Sequence, residues 1–320
     1  MIAITPWHWA GFILFVLLCI AVDMGAFQRR SHPVTFREAL GWSVGWFALA
    51  QLFALLLVHV RNQEEATEFV TGYLLELSLS LDNILVIALI LAAFRVPMEY
   101  QRRVLVCGIV GALVMRGIMI GVGAALVQRF HWVLYGFGVF LFYAGGRMLF
   151  SQTEVFDPET NWVVRGVRRL FPIAPALDGG KFFTRLNGQR ALTPLMLVVL
   201  LVEATDLLFA LDSVPAVFAV TQKAFIVFTS NVFAVLGLRS LYFLLADAIG
   251  RFRYLKAGLS VVLVFVGAKM LLSPQDAPPR WYQVEIPTVL SLLIIAVIIV
   301  GAITYSLLVT RHRRPNRDIS

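Results

Sequence analysis

Charge is scarce in this sequence, and cysteine is scarcer still. Only 14% of the 320 residues are charged and 59% are hydrophobic, with a mean hydropathy of +0.82. Soluble domains carry about 25% charged residues, so the shortage excludes an ordinary soluble domain and predicts a membrane protein. The two cysteines, Cys19 and Cys107, both fall inside apolar runs, which excludes a disulfide framework. Five histidines (8, 32, 59, 131 and 312) lie at run ends or in loops without metal-ligand spacing. HExxH and a P-loop are both missing. The aspartates at 82 and 212 follow "LSL" and "FAL" rather than the glycines of a GxGD protease. The sequence therefore predicts no enzyme and no cofactor. A net charge of +8 and a pI near 9.9 would suit nucleic acid, but the basic residues are spread between apolar runs. Membrane topology explains that spread, and the expected partner is lipid, not nucleic acid.

What is present in abundance is apolar runs long enough to span a bilayer. Nine are marked, at 7–27, 39–59, 69–94, 104–127, 132–150, 193–220, 225–248, 255–272 and 285–309. The predicted fold class is all-α and polytopic, a single transmembrane domain over 1–320. No Lys or Arg precedes the first run, so it reads as an uncleaved anchor. Nine spans place 19 of the 27 basic residues on one side and four on the other, with four inside spans. By the positive-inside rule the N-terminus is outside and the C-terminus in the cytoplasm, in a bacterial-type inner (plasma) membrane.

Spans 3–5 and 6–8 resemble each other. "ELSLSLDN" (76–83) aligns with "DLLFALDS" (206–213), Arg116 in "LVMRGIMI" with Arg239 in "LGLRSLYF", and "GGRMLFS" (145–151) with "GAKMLLS" (267–273). Arg147 thereby faces Lys269 in the alignment. The predicted units are 69–150 and 193–273, joined by a cytoplasmic loop at 151–192. Within that loop "WVVRGVRRLF" is amphipathic and is expected on the inner membrane surface. Three spans are an odd number, so the second unit must run opposite to the first. That is an inverted repeat, with a transporter's site near mid-membrane at the repeat interface.

Acids in these spans need a reason. An ionisable residue at mid-helix costs roughly 2.5–3.5 kcal/mol to insert, so Glu76, Asp82, Glu203, Asp206 and Asp212 are expected to face the bundle or a water-filled cavity. Glu76, Ser80 and Asn83 share one helical stripe, and Glu203, Asp206, Ala210 and Ser213 form its counterpart. Asp82 and Asp212 sit about 100° away on an ideal helix. Pro215 predicts a break that would free the Leu211 carbonyl and let Asp212 join. Carboxylate, amide and hydroxyl oxygens without Cys or His favour a hard divalent ion such as Mg²⁺, Ca²⁺ or Mn²⁺. Ion pairing of the same acids with Arg116, Arg239, Arg147 and Lys269 is the structural alternative.

At these motifs the chain resembles the TerC integral membrane proteins, and among them the alkaline-induced manganese exporters. The resemblance runs through "TGYLLELSLSLDNILV", "QRRVLVCGIVGALVMR", "VEATDLLFALDSVPAVFAVT" and "FTSNVFAVLGLRSLYFLLA". It implies Mn²⁺ efflux from the cytoplasm. It also implies Glu76, Asp82, Asn83, Glu203, Asp206, Asp212 and Ser213 as metal ligands or their supports. Asp23, in "AVDMGAF", also matches a family acid and joins the ion-pair or gating candidates. The alternatives are Ca²⁺ as cargo, or a membrane partner that hands metal to secreted proteins or scaffolds a stress-response complex. Export against a negative-inside potential needs energy, and without a P-loop the expected source is protons. Glu203 is the candidate carrier, because Tyr73 stands at its place in the other unit.

Overall fold

The computed structural model describes residues 5–28, 35–130, 132–150, 162–186, 188–245, 255–273, 283–284 and 286–312. Ten helices and one hairpin follow in the order α1 (Pro6–Gln28), α2 (Phe36–Val60), α3 (Gln63–Ala93), α4 (Met98–Arg129), α5 (Trp132–Phe150), α6 (Trp162–Leu170), β1 (Phe183–Leu186), β2 (Gln189–Leu192), α7 (Pro194–Phe218), α8 (Ala224–Leu245), α9 (Leu255–Leu272) and α10 (Thr288–His312). Eight of them are long and apolar enough to cross a membrane; the ninth expected span is the shorter apolar stretch Ala257–Leu272 of α9. The chain is an all-α polytopic membrane protein.

Several helices outrun their apolar stretch because polar residues cap them. Asn62 accepts the Glu65 N–H at 2.7 Å, starting α3 six residues before the apolar run at 69. Thr35 and Glu38 form a capping box on α2, and Thr193 caps α7 ahead of Pro194. At the other end of α3, Arg95 takes a left-handed φ of 49°, while the Val96 N–H reaches back to the Leu91 carbonyl at 3.0 Å. This Schellman closure turns the chain straight into α4.

Burial separates the middle of the bundle from its edge. The apolar windows of α3 and α8 are 69% and 78% buried, against 17% for α1 and 11% for α10. Around the α3–α8 pair, α4 packs on α7 and α8, and α5 packs on α9 and α7. One apolar cluster joins the end of α3 to the starts of α4 and α7 and to α6. Another joins the middle of α3 to the ends of α4 and α7 and to α9. Thus α4 and α7 run parallel, and α3 runs against both.

The α5–α9 crossing is backbone on backbone. A methyl at Gly145 would stand 2.8 Å from the Ser260 carbonyl and 2.8 Å from the Val264 N–H. One at Gly267 would stand 2.8 Å from the Gly138 carbonyl and 2.6 Å from the Phe142 N–H. Gly145 and Gly267 are aligned positions of the two sequence units, and so are 138 with 260 and 142 with 264. The contact is reciprocal and antiparallel.

Candidate functional site: a buried guanidinium between acids of two helices

Helical spacing aims Glu76, Ser80 and Asn83 of α3 and Asp206, Ala210 and Ser213 of α7 inward, and all six are buried. A methyl at Gly72 would sit 3.1 Å from Val217, which sets the register of the two antiparallel helices. Stepping along each axis from that contact puts Glu76 at the level of Ser213, and Asn83 at the level of Asp206.

Arg116 of α4 enters between them, only 1% exposed. Its Nε and Nη2 donate to Asp206 Oδ2 and Oδ1 at 3.1 and 3.0 Å. Its Nη1 donates to Glu76 Oε1 and reaches Ser213 Oγ at 3.5 Å. A forked, permanently charged group is suited to this task, since it can satisfy two carboxylates in fixed geometry. One positive charge is shared by two carboxylates. Glu76 Oε2, Ser80 Oγ and Asn83 Nδ2 are buried with no hydrogen-bond partner among the described residues.

Of the other expected ligands, Glu203 is half-buried on α7, its carboxylate lying where a side chain at Gly111 of α4 would collide with it. Asp212 is half-buried beside the exposed Leu211. The side chain of Asp82 lies outside the described residues. Pro215 does not break α7. The helix runs on to Phe218, and the Ala219 N–H bonds the Pro215 carbonyl at 3.0 Å. The proline's missing N–H costs one bond, to the Leu211 carbonyl, but the backbone stays helical through the last turn, so Asp212 stays turned away from the Asp206–Ser213 stripe. Among the described residues, no group of three or more His, Cys, Asp or Glu is placed to hold a metal ion. Glu76 and Asp206 instead meet through Arg116.

The second arginine is placed differently. Arg239 of α8 pairs with Asp23 of α1, donating Nη2 to its backbone carbonyl at 2.8 Å and to its carboxylate. Lys269 is buried on α9 and Arg147 is exposed on α5; among the described residues no ion pair reaches either. A polar cluster unforeseen from sequence closes the opposite end of the bundle. There Lys223 reaches Glu68 at 3.1 Å and Glu65 at 3.7 Å, while Arg61 grips Glu65 at 2.8 and 2.9 Å. The signal was available in "EEATEF", whose acids precede the apolar run by a turn.

A helical bundle that buries an arginine and two acids between antiparallel helices is the architecture of a multi-pass membrane protein with a polar centre. Residues 61–314 match the Integral membrane protein TerC family, and the chain belongs to it. It is 48% identical over 308 residues to "Uncharacterized membrane protein STKORF319" of Myxococcus xanthus, covering 96% of this chain and 94% of that one. It is 44% identical over 277 residues to "Putative membrane-bound redox modulator Alx" of Escherichia coli (strain K12), covering 84% and 86%. An "Uncharacterized membrane protein" of Rickettsia bellii is 35% identical over 285 residues, covering 89% and 94%. No solved structure matches the chain.

Proposed function

We propose that the protein exports a divalent metal cation, with Mn²⁺ the cargo, from the cytoplasm across a bacterial-type plasma membrane through the polar centre of α3, α4 and α7. One observation carries this reading. Two buried carboxylates share a single guanidinium, and one of their oxygens, Glu76 Oε2, and the Ser80 hydroxyl on the same stripe have no partner among the described residues. Such a hard, oxygen-rich set suits a divalent ion of the Mg²⁺, Ca²⁺ or Mn²⁺ kind. Arg116 acts as a tethered competitor: an arriving ion of charge +2 takes Glu76 and Asp206 from it, and the guanidinium reclaims them when the ion leaves. Asn83, Ser213, Asp82, Asp212 and Glu203 complete the ligand set or line its path as the helices shift.

The two units form an inverted repeat in this reading, supported by the reciprocal Gly145 and Gly267 contacts and by the crossed packing of α3 on α8 and α4 on α7. The basic-residue split supports an N-terminus outside and a C-terminus inside. Expelling two charges against the potential costs roughly 2.3 kcal/mol per charge per 100 mV, and inward protons supply it. Glu203, against the open backbone of Gly111, carries them.

Proteoliposomes loaded with Mn²⁺, or in parallel with Ca²⁺, and a pH dye test the reading. Mn²⁺ movement with opposed proton flow is expected from the purified chain alone, stopped by Asp82→Asn or Asp212→Asn and uncoupled by Glu203→Gln. No movement of either ion would reject the transporter in favour of a partner role, and faster Ca²⁺ would reassign the cargo.

A further inference from the structure

Between the two units, residues 162–192 build a surface of one sign. Six basic residues stand there against a single acid, Asp178. That acid is already engaged, accepting from Thr184 Oγ1 at 2.8 Å and from Lys181 at 3.3 Å. The Thr184 hydroxyl, then the Lys181 ammonium, hold its carboxyl below the usual range, so it stays ionised in the lining of the hairpin's cavity, one negative charge against six positive ones.

The hairpin pairs arginine with arginine. Antiparallel register sets Arg185 opposite Arg190, and both line a cavity of about 830 Å³ together with Lys181, Phe171 and Phe183. Like charges directly opposed on one face of a strand pair are destabilising, so this register calls for an anion. The α6 helix adds Arg165, Arg168 and Arg169 on its exposed side. Part of its valine face is taken up by the bundle: Val164 is fully buried against α7 and the start of α4. What remains exposed and apolar is a rim, with Leu170 76%, Phe183 59% and Phe171 52% exposed.

We propose that this cleft binds the headgroup of an anionic phospholipid from the adjoining leaflet. Arg185, Arg190 and Lys181 hold the phosphate, and the Phe171, Phe183 and Leu170 rim meets the interfacial and acyl region. Arginine forks match phosphate oxygens two at a time, which converts the Arg185–Arg190 repulsion into a shared grip. A free phosphate would use the arginines alone; only a lipid uses the rim as well. The site is rigidly mounted, because Arg103 of α4 donates to the Gly180 carbonyl at 2.8 Å and Thr193, the cap of α7, donates to the Lys181 carbonyl at 2.8 Å.

The test uses the purified full chain in neutral detergent, with dioleoylphosphatidylglycerol, dioleoylphosphatidylcholine, inorganic phosphate and an acidic peptide as separate probes. Binding by native mass spectrometry and the Tm are read for each. Phosphatidylglycerol is expected to bind at least tenfold tighter than the other three, and Arg185→Gln/Arg190→Gln to lose that preference. The single variant Arg190→Gln has a sign test. It raises the Tm in detergent alone, where the like-charge pair is relieved, and lowers it relative to wild type with phosphatidylglycerol. Phe183→Ala keeps the charges and narrows the gap between lipid and phosphate. Equal binding of the two lipids, unchanged binding in the double variant, or phosphate or peptide matching phosphatidylglycerol would each overturn the proposal.

Discussion

Arg116 and Arg239 occupy aligned positions in the two sequence units, yet they serve different masters. Arg116 takes one acid from each unit, Glu76 of α3 and Asp206 of α7, and so ties the units together at the centre. Arg239 turns to Asp23 of α1, a helix outside either unit. Two aligned arginines have been put to asymmetric use: one holds the acids of α3 and α7, and the other fastens a peripheral helix. By contrast, Gly145 and Gly267 keep the same role in both units, since backbone contact admits no variation in chemistry.

Loss of Arg116 should do the most damage. Arg116→Met leaves two buried carboxylates without their cation, and losing one partner of a buried pair costs about 3–5 kcal/mol. Folded yield in detergent is expected to collapse, and Glu76→Gln/Asp206→Asn added to Arg116→Met should restore yield without restoring Mn²⁺ movement. Arg239→Met releases Asp23 on the peripheral helix α1 rather than the acids at the centre, so a smaller drop in Tm is expected. The exchange Asp23→Arg/Arg239→Asp should recover most of it, as a merely fastening pair would. If that exchange instead abolished Mn²⁺ movement at normal Tm, Arg239 would belong to the transport path too.

The glycines sharpen the symmetric half of the comparison. Gly145→Ala and Gly267→Ala each force the α5–α9 backbones apart and should lower the Tm by matching amounts, an overpacking cost of about 1–3 kcal/mol. Gly146→Ala, with open space around it, should be neutral or mildly stabilising through helix propensity of up to about 1 kcal/mol. Unequal losses at 145 and 267 would count against equivalence of the units.

The smallest effect lies between the units. The Asp178 carboxyl titrates lower in the folded hairpin than in the unfolded chain, so its contacts contribute fully above the unfolded value and fade as pH falls through the folded one. Hydrogen exchange of the hairpin amides should quicken only in that acidic window, and Asp178→Asn should remove the pH dependence.

The helices were legible because apolar runs announce themselves, and their ends were not, because caps such as Asn62 lie in polar sequence. The hairpin was missed although Asn-Gly at 187–188 is a strong two-residue turn signal; its short, basic strands carry little hydrophobic pattern. For the site, spacing identified the inward stripes of α3 and α7 and flagged Arg116 as an ion-pair candidate. Periodicity fixes the face of one helix but not its rotation against another. It could not show that Arg116 reaches both acids while Arg239 reaches neither. Pro215 misled for a related reason: a proline removes one bond to the preceding turn, and whether the helix breaks there depends on the packing around it, which holds Val214, Ala216, Val217 and Phe218 buried.

The glycine crossing of α5 and α9 carries a mechanical consequence. Interlocked side chains would act as gear teeth and fix the angle between the helices. Peptide planes resting on peptide planes fix the distance instead: no flexible side chain lies between them to yield, so α5 and α9 can draw no closer, and any side chain larger than hydrogen at 145 or 267 has to wedge them apart.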